Sequence, residues 1–338
     1  MTRIRAWAAQ AAGRPLEAYE YDAGSLGLTE VEVAVAHCGI CHADLSMLNN
    51  DWGLTRYPFV PGHEVVGRIV ALGERVKNLR IGQCVGVGWN SGSCMYCRLC
   101  LSGNQHLCGR VQPTIVGRHG GYAERVRAQS AWTFPLPPEL DARSVGPLLC
   151  AGIAVFAPLV NYDVKPTARV GIVGIGGLGH LAIKISKAWG CEITAFTSSD
   201  IKREHALRLG AHRVVSSRDP AAMQAVAGSL DVLLITVNVA LDWRAIMAAL
   251  APEGRAHFLG LVLDPVPLNI VDLIFGQKTV SASPTGSPSA IATLLDFTAR
   301  HRILPEVEHF PMSRANDALK HLEAGKARFR AVLDVDFK

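Results

Sequence analysis

Four cysteines, Cys94, Cys97, Cys100 and Cys108, crowd into fifteen residues in the arrangement C-x2-C-x2-C-x7-C. No other stretch limits the chain's options so tightly. A glycine-containing loop must turn three sulfur atoms to one point and bring a fourth to close a tetrahedron. Four thiolates with no open position describe a structural Zn²⁺ site, closed and redox-silent. A ferredoxin-type iron–sulfur cluster is the rival, since it also uses x2-x2 spacing, but its usual continuation is x3-Cys-Pro. Here seven residues intervene before the fourth cysteine, and Gly109 follows it. The chain holds nine cysteines, an odd number, and its first residues, MTRIRAWAAQAAGRP, carry three arginines without an apolar segment. Thiols and thiolate ligands are therefore expected instead of a disulfide framework, in a cytoplasmic protein.

At 338 residues the chain is long for one domain, and about two are expected. Hydrophobic residues at 49% and charged residues at 19% suit a globular protein with a sizeable core. The formal charge of +5 is spread thinly, with no run of five like charges, so nucleic acid and membrane surfaces are not expected as partners. No apolar run reaches the roughly 18 residues that a membrane-spanning helix needs.

Residues 31–36, 65–72 and 84–87 are short alternating or apolar runs separated by glycines, and no helical period runs through this region. From about Pro147 the texture changes. Residues 170–173, 191–196 and 213–215 read as strands, with helical segments at 181–189 and 202–209 between them. Residues 221–227, 232–237, 243–250 and 256–261 continue the alternation. Strands alternating with helices of this length imply a parallel, doubly wound sheet. The Pro/Ser/Gly stretch 281–289 breaks the pattern, and a helix and a final strand at 331–335 follow. The expected organisation is an α/β protein with a β-rich domain at 1–150 and 286–338, and an inserted Rossmann dinucleotide-binding domain at 151–285.

Gly174-Ile175-Gly176-Gly177-Leu178-Gly179 satisfies G-x-G-x-x-G between an apolar strand and a helix, the context the motif demands. Small residues there let the backbone approach a pyrophosphate, whose charge then lies at a helix N-terminus. An NAD-binding chain usually carries an acidic residue at the end of the next strand, about 20 residues on. That position is Ser198, followed by Ser199, Asp200, Lys202 and Arg203. Short hydroxyl donors with cations one turn away suit a 2′-phosphate, so NADP(H) is preferred over NAD(H), with Asp200 keeping NAD(H) open.

Ligand-type residues also stand in three distant segments: Cys38-Gly39-Ile40-Cys41-His42-Ala43-Asp44, Pro61-Gly62-His63-Glu64, and Leu149-Cys150-Ala151-Gly152. Spacing alone does not join them. With the four-cysteine loop and the glycine turn, however, the chain resembles the zinc-containing alcohol dehydrogenases of the medium-chain dehydrogenase/reductase superfamily. It is closest to bacterial NADPH-dependent, broad-specificity aldehyde reductases of the cinnamyl-alcohol-dehydrogenase-like branch. Segments carrying the closer likeness include Asn50-Asp51-Trp52-Gly53, Val87-Gly88-Trp89 and Leu241-Asp242-Trp243.

The resemblance implies a GroES-like catalytic domain beside the Rossmann domain, and two zinc ions per chain. Cys41, His63 and Cys150 would hold the catalytic zinc, with Glu64 able to approach it and Asp44 accepting from the other ring nitrogen of His63. Trp52 and Trp89 would line the substrate channel. Leu178 would pack behind the nicotinamide, His42 and Arg330 would reach the cofactor phosphates, and Thr236, Val237 and Ser283 would complete the cofactor site. The implied reaction is reversible hydride transfer between NADPH and an aldehyde, in a homodimer or homotetramer. Two positions depart from the family pattern. Ala43 stands where relatives carry the Ser or Thr of a proton relay, whose usual histidine is Ser46 here, and Ala154 replaces a common threonine. Ala43 lends weight to reduction of an activated C=C bond or an imine, which needs no such relay. A non-catalytic sensor of zinc or dinucleotide is the remaining alternative; against it stands the complete, open ligand set.

Overall fold

In a computed structural model describing residues 3–337, the region of alternating strands and helices forms one six-stranded sheet in which every neighbouring pair is parallel. Its strands in chain order are Arg169–Val173, Glu192–Thr197, Arg213–Ser216, Leu230–Ile235, Leu250–Phe258 and Thr279–Ala282. They lie side by side in the order third, second, first, fourth, fifth, sixth. That is the order of a doubly wound dinucleotide fold, with its switch point beside the first strand. The helix Gly179–Trp189 buries Leu181, Ala182, Ile183 and Ile185, an i, i+4 spacing that covers the sheet with one face. Phe196, Leu233, Ile235, Trp243 and Ile246 fill the core of this unit, which runs from Ala151 to Pro284.

The chain up to Cys150 and from Thr285 onward makes the other unit. Its centre is the eleven-residue strand Glu30–Ile40. That strand pairs antiparallel with Val65–Leu72, with Arg125–Gln129 and with Arg330–Asp334. The sheet has seven strands, and Val307–Pro311 closes one edge beside Arg330–Asp334. The C-terminal segment thus returns to the strand that delivers the C-G-I-C-H motif.

Three features depart from the sequence reading. His42–Asn49 is a helix inside the β-rich region, where no helical period was read. Its residues 44–48 are all buried, so no polar face marks a helical period. The sheet also extends one strand further than expected, through Thr279–Ala282, whose last two residues open the Pro/Ser/Gly stretch read as a break. The closing segment holds two helices, Pro288–Arg300 and Ala315–Glu323, and two strands, where one of each was read. Among the described residues, no helix is long and apolar enough to cross a membrane.

Candidate metal centres and cofactor turn

The four-cysteine segment closes as a knot of short turns. The helix Arg98–Leu101 and the 3-10 turn Gln105–Leu107 bring Cys94, Cys97, Cys100 and Cys108 together, and their four sulfurs lie within 4.8 Å of one another. Separations of 3.8 Å for Cys94–Cys100, 3.8 Å for Cys97–Cys108 and 3.6 Å for Cys94–Cys108 match the edges of a tetrahedron. Zn–S bonds of about 2.3 Å require edges of roughly 3.8 Å. The backbone N–H groups of Cys97 and Arg110 donate to Cys94 Sγ at 3.4 Å and Cys108 Sγ at 3.3 Å. Hydrogen bonds of this kind favour thiolates, and the Cys94 thiol falls to about 6, chiefly through backbone donors at Tyr96 and Cys97. Burial instead pushes Cys100 up to about 11.

The second donor set is assembled from all three dispersed segments. The long strand ends at Ile40, and Cys41 leads straight into the helix His42–Asn49. One turn in, Asp44 is fully buried and bonded on every side. Its Oδ2 accepts from the Cys41 N–H at 2.9 Å, while Oδ1 accepts from the Gly62 N–H at 2.9 Å and from His63 Nδ1 at 3.0 Å. A single carboxylate therefore ties the two motifs together and fixes the His63 tautomer, leaving Nε2 as the free lone pair. That nitrogen lies 3.3 Å from Cys150 Sγ, which lies 3.9 Å from Cys41 Sγ. Donor atoms of Cys41, His63, Glu64 and Cys150 all lie within 4.8 Å of one another. Gly62 is needed for this approach. It sits at φ +103°, and a Cβ there would meet the Tyr122 ring at 2.6 Å and Cys38 Sγ at 2.8 Å. Cys38 is itself a core thiol, raised by burial.

Glu64 is completely buried, and Oε1 accepts from Arg330 Nη2. Burial raises the Glu64 carboxyl while the Arg330 charge opposes that rise. Oε2 has no hydrogen-bond partner. An orphaned anionic oxygen beside two thiols and a bare imidazole nitrogen is a site for a cation, and this donor set fits zinc. The Cys41 thiol lies well below its ordinary range through its hydrogen bond to Cys150, and Cys150 is raised by the same bond. Trp89 packs edge-on against the His63 ring at 4.9 Å, and Trp52 against Trp89 at 6.2 Å.

The resemblance assigns Arg330 to the cofactor phosphates; its side chain is buried at 4% exposure, and its Nη2 donates to Glu64 Oε1. The sequence held a clue in Arg330-Ala331-Val332-Leu333. An arginine opening a buried strand needs a buried anion. His42 is exposed, Ala43 half-buried, and Ser46 buried in the helix.

In the other unit, the glycine turn sits where the first strand of the parallel sheet gives way to the helix Gly179–Trp189. Gly174 takes φ +91°, and a Cβ on Gly179 would stand 1.9 Å from the Gly174 carbonyl oxygen, so the turn closes only with glycine there. A Cβ on Gly176 would meet nothing within 4 Å, leaving open space above the turn. Gly177 and Leu178 are half-buried, as are Thr236 and Val237 at the end of the fourth strand. Thr236 Oγ1 lies 2.9 Å and 3.0 Å from the carbonyl oxygens of Val173 and Gly174, pinning the turn to that strand. Ser198 is exposed just past the second strand, Ser199 is half-buried, and Lys202 is exposed in the helix Asp200–Leu209 that follows. Arg203 donates to the Val214 carbonyl at 3.3 Å. The Asp200 side chain lies outside the described residues. Ser283, one residue beyond the sixth strand, is bonded to His257 at 2.9 Å.

Residues 27–138 match the family described as alcohol dehydrogenase GroES-like domain, and residues 177–300 match zinc-binding dehydrogenase. The chain is 52% identical over 330 residues to an aldehyde reductase of Synechocystis, covering 98% of each chain. A solved cinnamyl alcohol dehydrogenase from Sorghum bicolor superposes with a TM-score of 0.95 at 34% identity, covering 98% of each chain. A second such enzyme, from Helicobacter pylori and solved with NADP(H), gives 0.91 at 28% identity, again covering 98% of each.

Proposed function

The chain belongs to the zinc-containing alcohol dehydrogenases of the medium-chain dehydrogenase/reductase superfamily, and on that premise we propose that it reduces a broad range of aldehydes to primary alcohols, reversibly, with NADPH as hydride donor. The reading rests above all on the convergence of Cys41, His63 and Cys150 beside the unpaired Glu64 oxygen. In this reading Cys41, His63 and Cys150 hold one zinc ion per chain, and Cys94, Cys97, Cys100 and Cys108 hold another. When bound, the catalytic zinc supplies Lewis-acid polarisation of a carbonyl and the nicotinamide supplies the hydride.

The chain's own residues do the remaining work. Asp44 holds the His63 imidazole so that Nε2 faces the two sulfurs. Arg330 balances the Glu64 charge in a site too buried to leave it uncompensated. Trp89 and Trp52 present apolar walls that keep water from the reacting carbon. Proton delivery to the product oxygen falls to water, because the Ala43 methyl has nothing to donate.

The preference for NADPH is supported by Ser198 and Lys202, exposed where a 2′-phosphate would lie. The exposed apolar residues of the helix Ile270–Gly276, with Phe275 at 87%, support a homodimer or homotetramer.

Rates on an aldehyde panel with NADPH and NADH, with product identification, test the proposal. The expected preference for NADPH is at least about tenfold in kcat/KM, about 1.4 kcal/mol. Ser198→Asp should move the preference toward NADH. Indifference of the native chain to the 2′-phosphate would remove the argument from Ser198 and Lys202. Ala43 specifically favours a second reading, reduction of an activated C=C bond or an imine. Given an enal, a saturated aldehyde as product would put that reading first, and an allylic alcohol would retire it.

A further inference from the structure

His180 follows the last glycine of the turn as the second residue of the helix Gly179–Trp189, and it is completely buried. Leu181, Ala182, Ile183 and Ile185 beside it are buried as well, and all four are apolar. An imidazole placed among them needs a hydrogen-bond partner. It finds one four residues back, where Nδ1 lies 3.2 Å from the Gly176 carbonyl oxygen. A carbonyl oxygen only accepts, so Nδ1 carries a proton and donates it. The same oxygen accepts from the His180 backbone N–H at 3.0 Å. The carbonyl that leads into the helix is therefore gripped by two donors of one residue, where the helical bond alone supplies one.

That grip acts on the other end of the same peptide. The Gly176 carbonyl and the Gly177 N–H share one trans peptide plane and point in opposite directions. Drawing the oxygen down onto the helix turns the Gly177 N–H outward. Among the described residues that N–H has no backbone partner, and a Cβ on Gly176 would meet nothing within 4 Å. The group thus faces the open space above the turn, where the dinucleotide reading puts the pyrophosphate. Thr236 pins the Gly174 carbonyl from the neighbouring strand. His180 pins the Gly176 carbonyl from inside the helix, although it stands outside the G-x-G-x-x-G motif.

We propose that His180 is a positioning residue whose ring N–H fixes the 176–177 peptide so that the Gly177 N–H donates to the cofactor diphosphate. The inference rests on the dinucleotide reading above. It adds a side chain that governs how the diphosphate is held without touching it.

Titration calorimetry with three ligands tests it: NADPH, 2′-phospho-ADP-ribose, which keeps the diphosphate but lacks the nicotinamide, and adenosine 2′-monophosphate, which lacks both. His180→Leu should weaken the first two alike, by about three- to tenfold, the range of one net hydrogen bond. It should leave the third unchanged. His180→Asn, whose amide N–H can reach the same carbonyl, should keep most of the native affinity. Native affinities in His180→Leu would overturn the inference. Equal losses for all three ligands would also overturn it, by assigning the ring a purely structural role. Nitrogen NMR of labelled imidazoles in the native protein, with the His180 signals identified by their absence from His180→Asn, should show a proton on Nδ1. A bare Nδ1 would overturn the inference even if His180→Leu did not fold. Failure of the native chain to bind either diphosphate ligand would instead defeat the dinucleotide reading itself.

Discussion

The two sulfur-rich clusters share ligand chemistry and differ in almost everything that supports it. The four-cysteine loop takes every donor from one fifteen-residue segment and steadies its thiolates with backbone N–H groups. The buried set spans 109 residues between Cys41 and Cys150 and relies on side chains, with Asp44 behind His63 and Arg330 behind Glu64. In the loop the fourth donor is a thiolate, which closes the tetrahedron. In the buried set the proposed ligands are three, and beside the open position stands Glu64, its Oε1 already engaged by Arg330. The difference teaches that a closed site needs only local turns, whereas an open one needs a fold to hold an incomplete shell apart.

The comparison is most vulnerable at its ligands. Cys150→Ser should lower aldehyde turnover about a thousandfold or more, since a metal Lewis acid contributes several kcal/mol to such a reaction. Circular dichroism and Tm should stay close to native. Cys100→Ser should do the reverse. Loss of a metal site belongs to the mechanisms that cost about 3 kcal/mol or more, so Tm should fall by roughly 6–12 °C. Turnover per folded molecule, measured well below that Tm, should remain. If the two variants behaved alike, the division between clusters would collapse. Asp44→Asn sharpens the contrast further, because the loop has no counterpart to it. It should cost 10- to 100-fold in zinc affinity or kcat/KM, measured by competition with a chromogenic chelator and by initial rates. The smallest effect is expected for Ala43→Ser, a few-fold gain in single-turnover aldehyde reduction, largest at alkaline pH where solvent protons are scarce. An unchanged single-turnover rate, with zinc full in both proteins, would show that the missing hydroxyl is no defect.

The same contrast governs what could be read from the sequence. The loop's four cysteines announce themselves by spacing, and the glycine turn by its position after an apolar strand. Cys41, His63 and Cys150 carry no such signal, because strand pairing, which spacing does not encode, brings them together. Only the resemblance joined them. The helix His42–Asn49 escaped for a related reason: buried on nearly all sides, it shows no polar face. The sixth parallel strand escaped for the opposite one, being short and rich in Ser and Thr. Neither the Arg330–Glu64 pair nor His180 belongs to a motif. Each is legible only afterwards, as a charged or polar residue in a segment otherwise apolar enough to be buried.

Timed removal of metal with a competing chelator, following zinc content, activity and Tm on the same samples, tests the account most directly. Native protein should start with two zinc ions per chain. Activity should fall in step with one ion and Tm with the other, whichever leaves first. Fewer than two ions at the outset, or activity and Tm both following the same ion, would contradict the account.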